Sequence, residues 1–400
     1  MANRCCIAGG GPAGMMLGLL LARAGVEVSV LEKHADFLRD FRGDTIHPST
    51  LEVMHELGML EAFLRLPHQE VYRLTAQIGD AVLSLADFRH LPTRCPFIAF
   101  MPQWDFLSFL AQQAAHYPNF QLRMQTEVTD VLEEAGQVVG VRAATPEGRL
   151  EVRASLVVAA DGRSSAVRER AGLRPQELGA PMDVLWFRLS RLATDPTETM
   201  GRFDRGCIFI RINRGGHWQC GYVIPKGGAE TVRHAGLARF RTTVAALMPF
   251  AAERVGELTD WDAVKLLTVQ VNRLAKWSRP GLLCLGDAAH AMSPIGGVGI
   301  NLAIQDAVAA ANLLAAPLRN GHLTPTHLQR VQLRREWPTR ITQGLQLLAQ
   351  KRVISPVLSR KGPLSPAFAL RLLARFSVLQ RLPARLIGIG ILPEHVRTRQ

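Results

Sequence analysis

Cys5-Cys6-Ile7-Ala8-Gly9-Gly10-Gly11-Pro12-Ala13-Gly14 opens this 400-residue chain with a short apolar run that breaks into a glycine turn. Cys5 to Ala8 reads as a buried strand, and Met15 to Ala24 is an apolar, helix-length run ending at Gly25. Val26, Val28 and Val30 then alternate with Glu27 and Ser29, a second strand that closes at Leu31-Glu32-Lys33. The turn is G-x-G-x-x-G. Gly9 permits the tight bend, Gly11 lets a pyrophosphate approach the backbone, and Gly14 lets the helix pack closely on the strand. The helix that begins at Pro12-Ala13-Gly14 offers unpaired N–H groups to phosphates. Glu32, eighteen residues past Gly14, is placed to accept hydrogen bonds from a ribose diol. Glycine turns alone arise by chance. Strand, helix, strand and terminal acid in register point to a dinucleotide, without saying which one.

Two later stretches bear on that choice. Leu156-Val157-Val158-Ala159-Ala160 is a buried strand running into Asp161-Gly162-Arg163-Ser164-Ser165-Ala166-Val167-Arg168. An acid and a glycine at a strand end suit a second approach to a bound nucleotide; taken alone, an N-capped helix after a strand explains them as well. Residues 281–306 carry Gly281-Leu282-Leu283-Cys284-Leu285-Gly286-Asp287-Ala288-Ala289-His290, then Pro294, then Gly296-Gly297-Val298-Gly299-Ile300-Asn301. There a strand delivers Asp287 to a sharp turn, where its carboxylate can bind a polyol hydroxyl, and a glycine-rich loop opens a long helix. The N-terminal amides of that helix, near Gly299 to Asn301, can stabilise negative charge on a bound ring. A reduced flavin needs that help. A nicotinamide has neither the ribityl chain nor the anion.

With these three motifs in this order and spacing, the sequence resembles the class A flavoprotein monooxygenases, the para-hydroxybenzoate hydroxylase-like family, over residues 1 to about 315. The resemblance implies an α/β fold: a Rossmann-like FAD-binding domain, an inserted antiparallel-sheet substrate domain and a helical C-terminal segment. It also implies one FAD, NAD(P)H as co-substrate without a domain of its own, O2, and an aromatic or polycyclic small-molecule substrate hydroxylated or epoxidised through a flavin C4a-hydroperoxide. By matched position, Glu32 lies at the adenosine ribose, Arg42 reaches the pyrophosphate and Gln103 lies near the FAD sugar, with Lys33, Val128, Asp161 and Gly162 as further cofactor-binding positions. Asp287 and Pro294 belong to the ribityl side, and Gly299, Ile300 and Asn301 to the flavin pyrimidine edge. Arginine is common in the family where this chain has Gln103, and a solvated loop arginine is the ordinary alternative for Arg42. His290 lies inside the third motif, where the family role is structural, and no catalytic acid or base is assigned. A reductase or dehydrogenase on the same scaffold is the alternative activity. A flavin-dependent halogenase ranks lower, because its G-W-x-W-x-I-P signature is absent.

Between the nucleotide segments the pattern turns to antiparallel strands. Ile208, Ile210 and Ile212 alternate, Asn213-Arg214-Gly215-Gly216 makes a turn, and Trp218, Cys220, Tyr222 and Ile224 alternate on the return. Helix follows from Ala229 to Met248 and a strand near Val264 to Val271. The expected division is a discontinuous FAD-binding domain over 1–72, 98–182 and 273–330, a substrate domain over 73–97 and 183–272, and a basic helical segment over 331–400. Candidate substrate contacts are His47, Arg211 and Tyr222. Each has an ordinary alternative as loop histidine, strand arginine or sheet-face aromatic.

Charge supports an enzyme over a polyanion-binding module. The chain carries 47 Lys+Arg against 34 Asp+Glu, a formal net charge of +13. Residues 330–400 hold fourteen of those basic groups and two acids, which leaves the first 329 residues close to neutral. A basic groove over the whole protein is therefore excluded, which argues against a nucleic-acid-binding module. Within the basic segment, Arg371 and Arg375 are four residues apart, as are Arg381 and Arg385, beside an apolar stripe of Leu372, Leu373, Phe376 and Leu379. Pro383 is expected to divide the run into two short helices. The segment packs on the enzyme body, over the pocket or a dimer contact, or it lies on an anionic membrane surface; a monomer or homodimer fits either. The six cysteines show no metal-like spacing, so no metal is expected, and reduced thiols in a cytoplasmic chain are the default. The glycines at 9 to 14 interrupt what could otherwise pass for a secretory leader. No other stretch is expected to span a bilayer.

Overall fold

A computed structural model of the chain describes residues 4–38, 45–204, 206–360, 362 and 364–398. Arg42, expected at the pyrophosphate, lies outside them.

The first strand, Arg4–Ala8, is the centre of a six-stranded sheet. It pairs in parallel with Glu27–Leu31 on one side and with Leu156–Ala159 on the other. Beyond these lie Phe120–Arg123 and Leu282–Cys284, also parallel, and the short antiparallel edge Ser278–Arg279. Every residue of Leu156–Ala159 is buried, and so are Cys5 and Cys6, as expected of strands covered on both faces. The six cysteines are free thiols, and burial pushes Cys6 up to about 12. The helix Pro12–Arg23 packs on the sheet and on the helix Gly299–Arg319.

A seven-stranded sheet draws on two separated parts of the chain. Its order is Lys265–Leu267, Met182–Ser190, His217–Pro225, Cys207–Asn213, Met200–Asp204, Arg73–Ile78, Ala81–Asp87. The expected hairpin is present, with Asn213 opposite Trp218 across the turn. The helical stretch after it is two helices, Ala229–His234 and Leu237–Leu247. They are divided at Gly236, whose φ of 88° an L side chain rarely adopts. Both faces of the sheet are covered. Met182, Val184, Trp186, Ile208, Ile212 and Val223 pack with Ile98, Phe100 and Ile295, and with Ile354, Val357 and Ala384 of the C-terminal segment. Leu185, Phe187, Phe209, Trp218 and Cys220 pack instead against Phe240 and Val244 of the Leu237–Leu247 helix.

The helix Pro325–Ala349 straddles residue 330, so the basic segment begins within a helix already packed on Gly299–Arg319. The two terminal helices are Phe368–Arg375 and Ser377–Gly388. They part at Phe376, not at the expected Pro383, which sits inside the second helix. Proline there removes a bond to the carbonyl of exposed Leu379, which water can satisfy. The expectation about bilayer-spanning stretches is also corrected. By length and a mean hydropathy of 1.4, Ile295–Arg319 qualifies, but 83% of its most apolar window is buried in the fold, as suits a core helix.

Candidate functional site

Three parallel strands end side by side, and each delivers one motif. Ala8 is in register with Leu31 and Ala159, and Ala159 with Cys284. The turns that follow therefore share one edge: Gly9 to Gly14, Asp161-Gly162, and Gly286-Asp287. Crossing hydrogen bonds fix them, from Gly9 N to Leu31 O at 2.8 Å, Ala160 N to Ala8 O at 2.8 Å and Leu285 N to Ala159 O at 2.9 Å. A crevice at the carboxyl ends of parallel strands is where such sheets bind ligands.

The glycine turn fits a pyrophosphate. A side-chain carbon on Gly9 would lie 2.4 Å from the Ala160 carbonyl oxygen, and one on Gly14 2.0 Å from that of Gly9. One on Gly11 would meet nothing within 4 Å. The turn is thus packed tight on two sides and open on the third. The helix Pro12–Arg23 has no side-chain cap and no acid in its first turn, and its first internal bond is Met15 N to Gly11 O. The Ala13 and Gly14 amides are left for an anion. Glu32 is buried; its carboxylate accepts from Gly10 N at 2.8 Å and from His34 N at 3.1 Å. These bonds aim it along the edge that the glycine turn forms. Lys33 is exposed beside it, and Val128 is buried in the strand Glu127–Glu134. Gln103 is the first residue of the helix Gln103–Ala114, which packs on Pro12–Arg23.

Asp161 has a local task. It accepts from the Ser165 hydroxyl and from Val167 N at 3.1 Å, shaping the start of the short helix Ala166–Arg170. Burial pushes its carboxyl up, and these bonds offset part of that. Arg168 is buried and spans the two turns, donating to Arg163 O at 2.8 Å and Ala288 O at 3.0 Å. Gly162, with φ at 88°, has no neighbour within 4 Å of its would-be side chain. Asp287 is part-exposed, 3.5 Å from Arg163.

At the far end, Pro294 and the Ile295–Gly297 turn lead into Gly299–Arg319. No side chain caps that helix, and its first internal bond is Leu302 N to Val298 O, so the Gly299, Ile300 and Asn301 amides precede the ladder. A ring carrying negative charge fits there. The Asn301 side chain is taken: its Oδ1 accepts from Ser49 Oγ at 2.7 Å and Thr50 Oγ1 at 2.8 Å.

Comparisons with known proteins agree with this geometry. A family model described as an FAD binding domain matches residues 3–342. The 6-methylpretetramide 4-monooxygenase of Streptomyces rimosus is 33% identical over 381 residues, covering 94% of this chain and 91% of that protein. The chain belongs to the class A flavoprotein monooxygenases. The para-nitrophenol 4-monooxygenase of Pseudomonas sp. (strain WBC-3) is 25% identical, covering 80% of this chain and 79% of its own length. Among solved structures, the p-nitrophenol 4-monooxygenase of Pseudomonas putida DLL-E4 shares the fold with a TM-score of 0.78 at 20% identity, covering 97% of this chain and 98% of its own.

The sheet of this monooxygenase does not bring Arg211 and Tyr222 to the Ile295–Gly297 turn. Phe209 stands opposite Tyr222 in the hairpin, while Ile208 stands opposite Val223. Tyr222 therefore shares the outer face with Phe209 and meets Phe240 edge-on at 5.7 Å. Arg211 lies over the Phe250 and Trp218 rings at 5.2 and 5.8 Å, and burial lowers its pKa. The inner face, bearing Trp186 and the three isoleucines, is the one that packs with Ile295. Gly221 lies opposite Trp186, and a side chain there would come within 3.0 Å of the indole. A glycine between apolar strand residues was the available sign of that close approach.

His47 is brought against the Ile295–Gly297 turn, in a fixed role. It is fully buried, with Nδ1 2.7 Å from Ile387 O and Nε2 3.1 Å from Gly297 O. Burial lowers its pKa to about 4. A neutral ring carries one N–H, so it donates to one of these carbonyls at a time.

A buried charge cluster that no motif announced underlies the Gly286 turn. Asp306 accepts from Arg335 Nε at 3.0 Å, from Gly286 N at 3.3 Å and pairs with His290 Nε2 at 2.6 Å. Burial would raise its pKa, but His290 and Arg335 hold it below the usual carboxylate range. Arg335 in turn donates to Leu392 O at 3.3 Å and lies 3.6 Å from Glu394.

Proposed function

We propose that this monooxygenase uses NAD(P)H and O2 to hydroxylate a polycyclic aromatic small molecule. The observation that carries the substrate class is the 33% identity, over 94% of the chain, with the pretetramide monooxygenase of Streptomyces rimosus. A flat aromatic ligand gains from burial, and roughly 25 cal/mol per Å² of apolar area removed from water is available to it. The name of the Streptomyces rimosus relative, a pretetramide monooxygenase, supports the polycyclic reading.

FAD, when bound, supplies the electron transfer and the activation of oxygen. The chain's own residues bind and orient. The Ala13 and Gly14 amides hold the pyrophosphate, Glu32 the ribose diol and Asp287 the ribityl hydroxyls. The Gly299 to Asn301 amides stabilise negative charge on the pyrimidine edge, where a low-dielectric site strengthens each dipole. The apolar sheet face excludes water.

The test is turnover of candidate polycyclic phenols by the FAD-loaded enzyme with NADH or NADPH under isotopically labelled O2. Product carrying the heavy oxygen is expected. Nicotinamide oxidation that yields product without the label would instead make this chain a reductase on the same scaffold.

A further inference from the structure

The two terminal helices lie flat on the enzyme body. Their inward residues, Gln380, Ala384 and Gly388, are buried against the Ala81–Asp87 strand and its Phe88 and Leu91 neighbours. Their outward residues are apolar. Phe368 is 80% exposed, Val378 and Leu382 are each 65% exposed, and Leu372, Phe376 and Leu379 are exposed with them. Arg371, Arg375, Arg381 and Arg385 are also exposed, and none has an acidic partner among the described residues. From residue 337 to residue 393 the chain has nine Lys or Arg and no Asp or Glu.

We propose that this helix pair is a docking surface for an anionic lipid bilayer, its phenylalanines and leucines entering the headgroup boundary and its arginines pairing with lipid phosphates. Bulky apolar residues flanked by arginine on helices parallel to the protein surface match the chemistry of an interfacial helix. A second copy of the chain is a poor occupant. Symmetric pairing would bring these arginines together, and the 337–393 stretch has no acid to offer them. The same helices reach the flavin edge: Gly388 O lies 3.1 Å from Ser49 Oγ, and Ile387 O 2.7 Å from His47 Nδ1. Docking therefore turns that side of the enzyme toward the membrane, where a lipid-soluble polycycle would be found. That consequence rests on the proposed function; the docking itself does not.

The test uses the full-length, FAD-loaded protein and sedimentation with phosphatidylcholine vesicles, with or without phosphatidylglycerol. Binding is expected on the anionic vesicles at low salt, with release as salt rises. Arg371→Gln with Arg375→Gln should lower partitioning about 25-fold, from roughly fivefold per arginine. Phe368→Ser with Phe376→Ser should lower it at least about tenfold for each ring lost from the headgroup boundary. Retained flavin absorbance shows that each variant is folded, and no turnover is measured, so failure here is separate from failure of the hydroxylase reading. Equal sedimentation with neutral and anionic vesicles overturns the proposal. So does parent-like binding by the phenylalanine variant, or a dimer in light scattering that Phe376→Ser dissociates.

Discussion

Gly11 and Gly14 lie three residues apart and answer different questions. A methyl on Gly14 collides with the Gly9 carbonyl, whereas one on Gly11 has free space. Gly14→Ala is expected to lower the melting temperature of the apoprotein, read by calorimetry. Gly11→Ala should change apoprotein stability by less than about 0.5 kcal/mol, yet weaken FAD by roughly tenfold or more, because its methyl occupies the open space a phosphate needs to reach the Ala13 and Gly14 amides. Glu32→Ala removes charge-assisted bonds and should weaken FAD about ten- to hundredfold in a fluorescence titration. His47 sets a pH limb. Its folded pKa, about 4, is depressed below the unfolded value near 6.5, so the unfolded chain takes the proton first as pH falls. Stability present above about 6.5 is lost toward 4, on the order of 3 kcal/mol. Denaturant titrations of parent and His47→Gln should show that limb flattened in the variant.

Between elements, Asp306 joins the helices Gly299–Arg319 and Pro325–Ala349 to the Gly286 turn. Asp306→Asn leaves Arg335 buried beside a neutral amide, and a loss of about 3–5 kcal/mol is expected in chemical denaturation. Elements of this kind were unevenly legible in the sequence. The glycine turns could be read because their chemistry is backbone chemistry, and only glycine satisfies a side-chain carbon 2.0 or 2.4 Å from a carbonyl. The hairpin could also be read, but its orientation could not. Ile208 to Ile212 and Trp218 to Ile224 both alternate, and both faces are apolar because both are covered. Alternation cannot say which one looks toward the flavin, and Arg211 and Tyr222 fell on the other. The terminal helices show a similar limit: Pro383 is a helix breaker by propensity, yet packing of Ala384 and Gly388 keeps it helical and the break falls at Phe376.

For the whole molecule, the cofactor is part of the stability. Strands far apart in sequence meet at one edge, and the proposed FAD site spans all three turns. Free FAD at about 100 times its Kd should therefore stabilise the fold by roughly 2.7 kcal/mol. Thermal melts across an FAD series should show the midpoint rising with concentration; a flat series would mean the turns do not form one site. The charge distribution belongs to this scale as well. The nearly neutral body carries the nucleotide crevice, and the basic C-terminal segment carries the exposed helix pair.

The ring of contacts around Asp306 also has a long reach along the chain. Arg335 is held by Leu392 and Glu394, while Gly286 and His290 on the opposite side of Asp306 lie about a hundred residues earlier in the chain. The support beneath the Gly286 turn is therefore complete only when the segment through Glu394 is in place. Chains truncated before Leu392 are expected to remain colourless and the 400-residue chain to turn yellow, which makes retention of the flavin depend on the C-terminal segment.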